Sequence, residues 1–309
     1  YPHASFIERR TPAGEGVVLW EVILTPDDLR SVQGVTARYF QGNSVEGKPV
    51  KEETLPQISL DWAQVQGAAK PIIAELRTML HVSEYGSYRF SLRGDETGER
   101  LWIDENPVMD APLTLARGNH ALRLQASDSP RQLELWWQPP SAPEMQQIPA
   151  VNLFRPPVTN NGLLGAYYPS PDWSGEPAFT QIDPQIDYYF HIIPLPRPYT
   201  VAWTGKLYAP TPGTYQFALS SVDNSQLRLD GSLVVDNPNG HTKVEGNVTL
   251  TQGWHDIDVR FADKSGGTQI YLYWMPPGSS EQVLVPTENL LPPMGQYPAS
   301  LDALNALQP

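Results

Sequence analysis

The feature that most limits what this chain can fold into is a long internal repeat, because a fold written twice must bury a core twice. The match begins at an offset of 128 residues: Gly34, Tyr39, Gly47, Pro49, Pro56, Gln57 and Ile58 meet Gly162, Tyr167, Gly175, Pro177, Pro184, Gln185 and Ile186. The offset then falls to 127, pairing Gly86-Ser87-Tyr88-Arg89-Phe90-Ser91-Leu92 with Gly213-Thr214-Tyr215-Gln216-Phe217-Ala218-Leu219, and to 126 where Leu101-Trp102-Ile103-Asp104 meets Leu227-Arg228-Leu229-Asp230. An insertion in the second copy, around residues 237–247, lengthens it to 135, so that Gly118-Asn119-His120 meets Gly253-Trp254-His255, and residues 132–140 match 269–277 at 137. These steps fall where loops are plausible. The repeat predicts domain one over 34–155, a linker over 156–161 stiffened by Pro156-Pro157, and domain two over 162–292.

Outside the repeat, an N-terminal extension over 1–33 is expected to pack on domain one. It carries a strand over 17–24 and then a short helix capped by Thr25, with Pro26 at its first position and Asp27-Asp28 facing the dipole. A tail over 293–309 ends in residues 300–307, which could form one or two helical turns with Leu301, Leu304 and Leu307 on one side. Such a helix would be marginal alone.

Alternation with a period of two dominates both copies: Tyr88/Phe90/Leu92, Leu133/Leu135/Trp137, Tyr215/Phe217/Leu219, Ile257/Val259/Phe261 and Ile270/Leu272/Trp274 each put apolar groups on one face. The 32 prolines and 23 glycines fit many turns between short strands. With no convincing long helix, the expected class is all-β, two tandem antiparallel β-sandwich domains, each a pair of packed sheets.

Composition removes several functions. A balance of 21 Lys and Arg against 34 Asp and Glu gives a net charge of −13, which argues against nucleic acid and anionic lipid. No cysteine occurs, so disulfides, thiolate metal sites and a cysteine nucleophile are excluded. The most continuous apolar run, 17–24, is interrupted by Glu21 and falls far short of the roughly 20 residues needed to cross a bilayer, so no membrane insertion is expected within this chain. The first residue is Tyr1, as in a processed protein or a fragment of a larger one.

The second copy resembles the PA14 domain family. The resemblance rests on Gly162 with Tyr167-Tyr168, on Val201-Ala202-Trp203-Thr204-Gly205-Lys206-Leu207-Tyr208-Ala209-Pro210, and on Gly213-Thr214-Tyr215-Gln216-Phe217. It continues through residues 227–231, Val235-Asp236-Asn237 and Gly253-Trp254-His255 to Tyr271-Leu272-Tyr273-Trp274. Domain one resembles the family mainly through domain two, since Leu76-Arg77-Thr78 stands where domain two has Trp203-Thr204-Gly205. The resemblance implies a β-sandwich fold, extracytoplasmic placement and frequent glycan contact.

Several PA14 lectins hold sugar hydroxyls through calcium bound by two adjacent aspartates after the Tyr-x-Phe strand. A hard cation needs several oxygen ligands, and two carboxylates supply charge while leaving positions for a diol. In domain two that loop reads Ser220-Ser221-Val222-Asp223-Asn224-Ser225, with valine in place of one acid; in domain one it reads Arg93-Gly94-Asp95-Glu96-Thr97-Gly98, with one extra residue. Asp95, Glu96 and Asp223 are thus the candidate metal ligands, for calcium if any cofactor is bound, and the same acids could instead cap turns. Asp223 and Asn224, with Asp236 and Asn237 of the insertion, are candidate carbohydrate contacts, although Asn237-Pro238 and Asn239-Gly240 are also turn dipeptides.

Flat aromatic faces are the other usual means of holding sugar. Tyr167, Tyr168, Trp173, Tyr188 and Tyr189 are candidates, and Trp173, inside the turn segment 169–175, is the first choice for an exposed contact; Trp137 and Trp274 sit at equivalent strand positions and read as core. His120 and His255 follow equivalent glycines at strand entries, where an imidazole can bond a turn. No G-x-S-x-G elbow, P-loop, dinucleotide fingerprint or HExxH pair occurs. The expectation is a non-catalytic region of a larger surface or secreted protein that binds a glycan or a cell-surface protein. The alternatives are a purely structural spacer and the accessory region of a glycan-processing enzyme.

Overall fold

A computed structural model describes residues 5–9, 19–23, 30–65, 70–94, 99–128, 132–189 and 193–307. The chain is all-β and forms two tandem antiparallel β-sandwiches. In the first, the larger sheet runs Lys51–Leu55, Val35–Gln41, Ile72–Val82, Gly118–Ser127, Arg100–Ile103 and Asn106–Pro107, with Leu153–Phe154 also paired to Ile72–Val82. The facing sheet runs Leu113–Leu115, Gly86–Arg93, Leu133–Gln138 and Gln146–Gln147, with Ser59–Leu60 also paired to Leu133–Gln138.

The second sandwich has the same order. Its larger sheet runs Phe179–Asp183, Leu163–Tyr168, Tyr199–Ala209, Gly253–Asp263, Ser225–Leu229 and Ser232–Asn237, with Leu290–Leu291 on Tyr199–Ala209. Its facing sheet runs Asp187–Tyr189, Gln269–Met275, Gly213–Ser221 and Thr242–Leu250, with Val283–Leu284 on Gln269–Met275. Each sandwich buries its own core between its sheets. Tyr39, Leu76, Tyr88, Leu124 and Leu135 lie in the first, and Tyr167, Trp203, Tyr215, Phe217 and Phe261 in the second. The alternating residues of the sequence are the source: Leu133–Gln138 and Gln269–Met275 bury every second side chain, including Trp137 and Trp274.

Small polar devices recur at matching places. His120 Nδ1 bonds Asp104 Oδ2 at 2.6 Å and its Nε2 bonds the Ala116 carbonyl at 2.9 Å, while the Ala121 amide donates to Asp104 Oδ1 at 2.9 Å. His255 repeats the arrangement with Asp230, Thr251 and the Asp256 amide. Both aspartates have φ of 48° and open the tight turn between two strands. Tyr88 donates to the Glu84 carbonyl and Tyr215 to that of Thr211, each four residues back.

The insertion in the second half lengthens a strand rather than a loop. Thr242–Leu250 pairs with Gly213–Ser221 over its whole length, from Gly213 opposite Leu250 to Ser221 opposite Thr242. Its counterpart Leu113–Leu115 pairs only with Gly86, Ser87 and Tyr88.

The halves meet through Arg117. Its amide donates to Thr180 O at 2.9 Å, its carbonyl accepts from the Ile182 amide at 2.7 Å, and its guanidinium lies 4.4 Å from the centre of the Phe179 ring. Asn119 Nδ2 donates to Thr159 O, Asn160 Nδ2 to Asp104 Oδ1, and the Gly295 amide to Asp104 O. The strand expected over 17–24 is present as Leu19–Ile23, paired with Ser5–Arg9, whereas Thr25, Pro26, Asp27 and Asp28 lie outside the described residues. Residues 31–33 attach to the first sandwich through Arg155, whose amide and guanidinium donate to their carbonyls. The helix Leu301–Leu307 buries Leu304 and is capped by Ser300, whose hydroxyl accepts from the Ala303 amide. No helix among the described residues is long and apolar enough to cross a membrane.

Two outcomes test these contacts. A methyl group at Gly165 would lie 2.3 Å from Asp183 Oδ2 and 2.9 Å from Trp203 Nε1, so Gly165→Ala is expected to cost about 1 to 3 kcal/mol in the urea-unfolding free energy. Burial pulls the His120 imidazole pKa down, but the Asp104 carboxylate and the Ala116 carbonyl outweigh it and leave the pKa raised. The resulting stability is complete below about pH 6.5 and is lost as pH rises through the higher folded value. The stability gap between the native chain and His120→Gln should therefore narrow with rising pH, and a gap constant across neutral and alkaline pH would refute the assignment.

Candidate functional site

Trp173 sits in a turn built from Pro169, Pro171 and Gly175, with φ of 59°. Its amide donates to Thr200 Oγ1 at 3.1 Å, the Thr200 hydroxyl donates to Ser170 O at 3.1 Å, and the indole Nε1 donates to Val201 O at 2.9 Å. These bonds hold the half-buried indole against the outer side of Tyr199–Ala209. On the next strand, Arg260 stands opposite Ala202 with its guanidinium 5.7 Å from the centre of the Trp173 ring.

Residues 258 and 260 share one face of their strand, and Arg260 donates to both Asp258 oxygens at 3.0 and 3.3 Å. That bonding holds the guanidinium pKa above its ordinary value. Ala166, Ala202, Arg260 and Gln226 form one row across the sheet, and Leu164, Thr204, Asp258 and Arg228 the row two residues along. Ala166 and Ala202 keep the floor low beside the aromatic and charged groups. The half-buried Trp173 indole and the paired Arg260 and Asp258 side chains thus lie on the same outer side of the sheet.

The acids of the loop end are used differently. Asp223 Oδ2 accepts from the amides of Lys264 at 2.8 Å and Ser265 at 3.1 Å, which ties two loops together. Asn237 is buried: its Nδ2 donates to Ser221 Oγ and Thr242 O, and its Oδ1 accepts from the Gly240 amide. Asp236, on the opposite side of the same strand, is exposed and accepts from Gln226 Nε2 at 3.0 Å. Asn224 is half-buried, its carbonyl accepting from the Ala262 amide. The structure thus places Asp223 and Asn224 beside the buried Asn237 and turns Asp236 away. Asp95 and Glu96 lie outside the described residues. Among the described residues no group of three or more His, Asp or Glu side chains is placed to hold a metal ion.

The aromatic candidates also separate. Tyr167 is fully buried and Tyr188 half-buried, and both donate to Asp183, at 2.9 and 2.5 Å; Trp203 Nε1 and Gln181 Nε2 donate to the same carboxyl, each at 2.6 Å. Burial raises the Asp183 pKa, and these four donors oppose it. Sequence reasoning missed this acid, whose only signal was its place between the apolar positions Ile182 and Ile186. Tyr168 is half-buried near Arg260, and Tyr189 is 56% exposed. Asp258 and Arg260 were also missed, since alternate charges on a strand ordinarily mark a solvated face.

Residues 159–288 match the PA14 domain family. Over 148 residues the chain is 28% identical to the anti-sigma-I factor RsgI3 of Acetivibrio thermocellus, a match that takes in 45% of this chain and spans 23% of that protein's length. Among solved structures, an anti-sigma factor domain-containing protein from Clostridium clariflavum matches at 20% identity and a TM-score of 0.39, over 84% of this chain and 100% of that one. A PA14 sugar-binding domain from an RTX adhesin matches at 18% identity and a TM-score of 0.37, over 43% of this chain and 99% of that one. Residues 159–288, the second sandwich, are thus the part of the chain that matches the PA14 domain family.

Proposed function

We propose that the two sandwiches are a non-catalytic recognition region of a longer extracytoplasmic protein, and that the second binds carbohydrate, without calcium, on the platform around Trp173. The observation that carries this reading is the pinned indole beside the Asp258–Arg260 pair. An aromatic face takes the apolar side of a sugar ring, and a preset ion pair offers donors and acceptors to its hydroxyls at little ordering cost. Asp223 is committed to backbone amides, which favours this face over a calcium site at the loop end. The first sandwich, with the same strand order, is read as a second PA14-like unit.

Similarity to an anti-sigma-I factor over 45% of the chain favours a second reading of the parent protein, in which these sandwiches are the input region of a regulator. Ligand binding would be their task there too.

A glycan array probed with and without chelator tests the site. Binding is expected to survive chelation and to weaken at least about tenfold in Trp173→Ala and Arg260→Ala, a loss of about 1.4 kcal/mol or more. Asp223→Ala should keep glycan affinity while losing about 1 kcal/mol of stability with its amide contacts. Chelator-sensitive binding would move the site to the acids, no binding across a broad array would leave the spacer reading, and turnover of chromogenic glycosides would overturn the non-catalytic one.

A further inference from the structure

The two sandwiches differ most at one sheet edge. In the second, Gly213–Ser221 is flanked on one side by Gln269–Met275 and on the other, along its whole length, by Thr242–Leu250. In the first, Gly86–Arg93 is flanked on one side by Leu133–Gln138, but on the other side Leu113–Leu115 reaches only Gly86, Ser87 and Tyr88. Among the described residues, no strand pairs the outer edge from Arg89 to Arg93. Beside it opens a cleft of about 640 Å³, lined on its apolar side by Phe90, Leu92, Leu101, Val108 and Met109, while Glu99, Arg100 and Asp110 also border it. Phe90, Leu92 and Val108 pack against the core yet stay half-exposed, and Met109 is 74% exposed. An unpaired edge over an apolar cleft is an arrangement that proteins usually cover.

The second half shows what covers it. There the inserted strand puts Val244 and Val248 against the core, opposite Leu219 and Tyr215. Its Lys243, Glu245 and Asn247 lie opposite Ser220, Ala218 and Gln216. By the repeat, Leu219 and Phe217 correspond to Leu92 and Phe90, and Ser220, Ala218 and Gln216 to Arg93, Ser91 and Arg89. The first half thus keeps the apolar inner positions and replaces two neutral outer ones with exposed arginines; Arg93 is fixed over the Trp136 ring at 3.5 Å.

We propose that the first sandwich binds an extended polypeptide segment, which adds as an antiparallel strand along residues 89–93 and takes the place that Thr242–Leu250 occupies in the second. Main-chain hydrogen bonds hold the segment, alternate apolar side chains enter the cleft over Phe90 and Leu92, and acids face Arg93 and Arg89. Opposite charges across a strand pair favour that register. The segment therefore reads acid, apolar, any, apolar, acid. This site lies on the other half from the Trp173 platform and does not depend on the carbohydrate reading.

The test uses the full chain and a labelled peptide, Thr-Glu-Val-Thr-Val-Glu-Thr, followed by fluorescence anisotropy. The expected result is saturable binding that weakens at least tenfold when lysine replaces both glutamates or when the sequence is scrambled. Arg89→Glu/Arg93→Glu should reverse the preference between the acidic and basic peptides, an outcome that loss of folding cannot mimic. Methylating alternate backbone nitrogens should abolish binding in one parity and spare it in the other, as pairing along one edge requires. Trp173→Ala should bind the peptide as the native chain does, which separates this site from the carbohydrate platform. Equal binding of all peptides, indifference to both methylation patterns, displacement by oligosaccharide, or no binding up to roughly millimolar peptide would each overturn the proposal.

Discussion

Each sandwich is organised by one eleven-residue strand at the middle of its larger sheet, Ile72–Val82 or Tyr199–Ala209, and by a change of partner along that strand. One edge pairs with a single long neighbour. The other is shared end to end by two: Val35–Gln41 takes residues 72–77 and Leu153–Phe154 takes 79 and 80, while Leu163–Tyr168 takes 200–204 and Leu290–Leu291 takes 206 and 207. The two ends of each sandwich therefore meet on one strand, and backbone groups at the join still need partners. Thr78 answers with its hydroxyl, shared between Gly34 O and Phe154 O. Gly205 answers by having no side chain, since a Cβ there would lie 2.2 Å from Leu291 O. One joint is thus closed by an added donor in one half and by removed bulk in the other.

That difference explains why the second half is the more legible one. Strands such as Leu133–Gln138 and Gly253–Asp263 were readable because one face is buried and the period of two survives in the residues. The shared strand order was readable as a repeat, and its offsets located the insertion at which the two sheet edges differ. The nature of that difference was not readable. Asn237-Pro238-Asn239-Gly240 is a strong turn signal, and the strand after it interrupts its apolar positions with Gly246, which leaves no room for a Cβ beside Val234 O. Local pattern favoured a loop, and long-range pairing made an edge strand.

The candidate site was legible only in part. Trp173 stood out because a tryptophan in a proline-rich turn has no core face to join. Its partners did not, because Arg260 and Asp258 lie nearly ninety residues away in sequence and come beside it only through the register of Gly253–Asp263 on Tyr199–Ala209. Asp223 was legible as a functional acid and as a turn cap from the same residues. In the structure its Oδ2 accepts from two backbone amides, as a turn cap does. Acids in sandwich loops carry this ambiguity generally, for a short carboxylate near free amides is satisfied locally before any cation arrives.

The main chain of Arg117 is bonded on both sides into the edge of the other half, by Thr180 and Ile182. Such a seam resists bending as a flexible tether does not, so surfaces on the two halves keep a set separation and orientation. A multivalent ligand whose attachment points match that spacing meets the second surface at high effective concentration once the first is engaged, and one with mismatched spacing gains nothing. With a ligand on each half, such a seam would turn two modest affinities into discrimination by length.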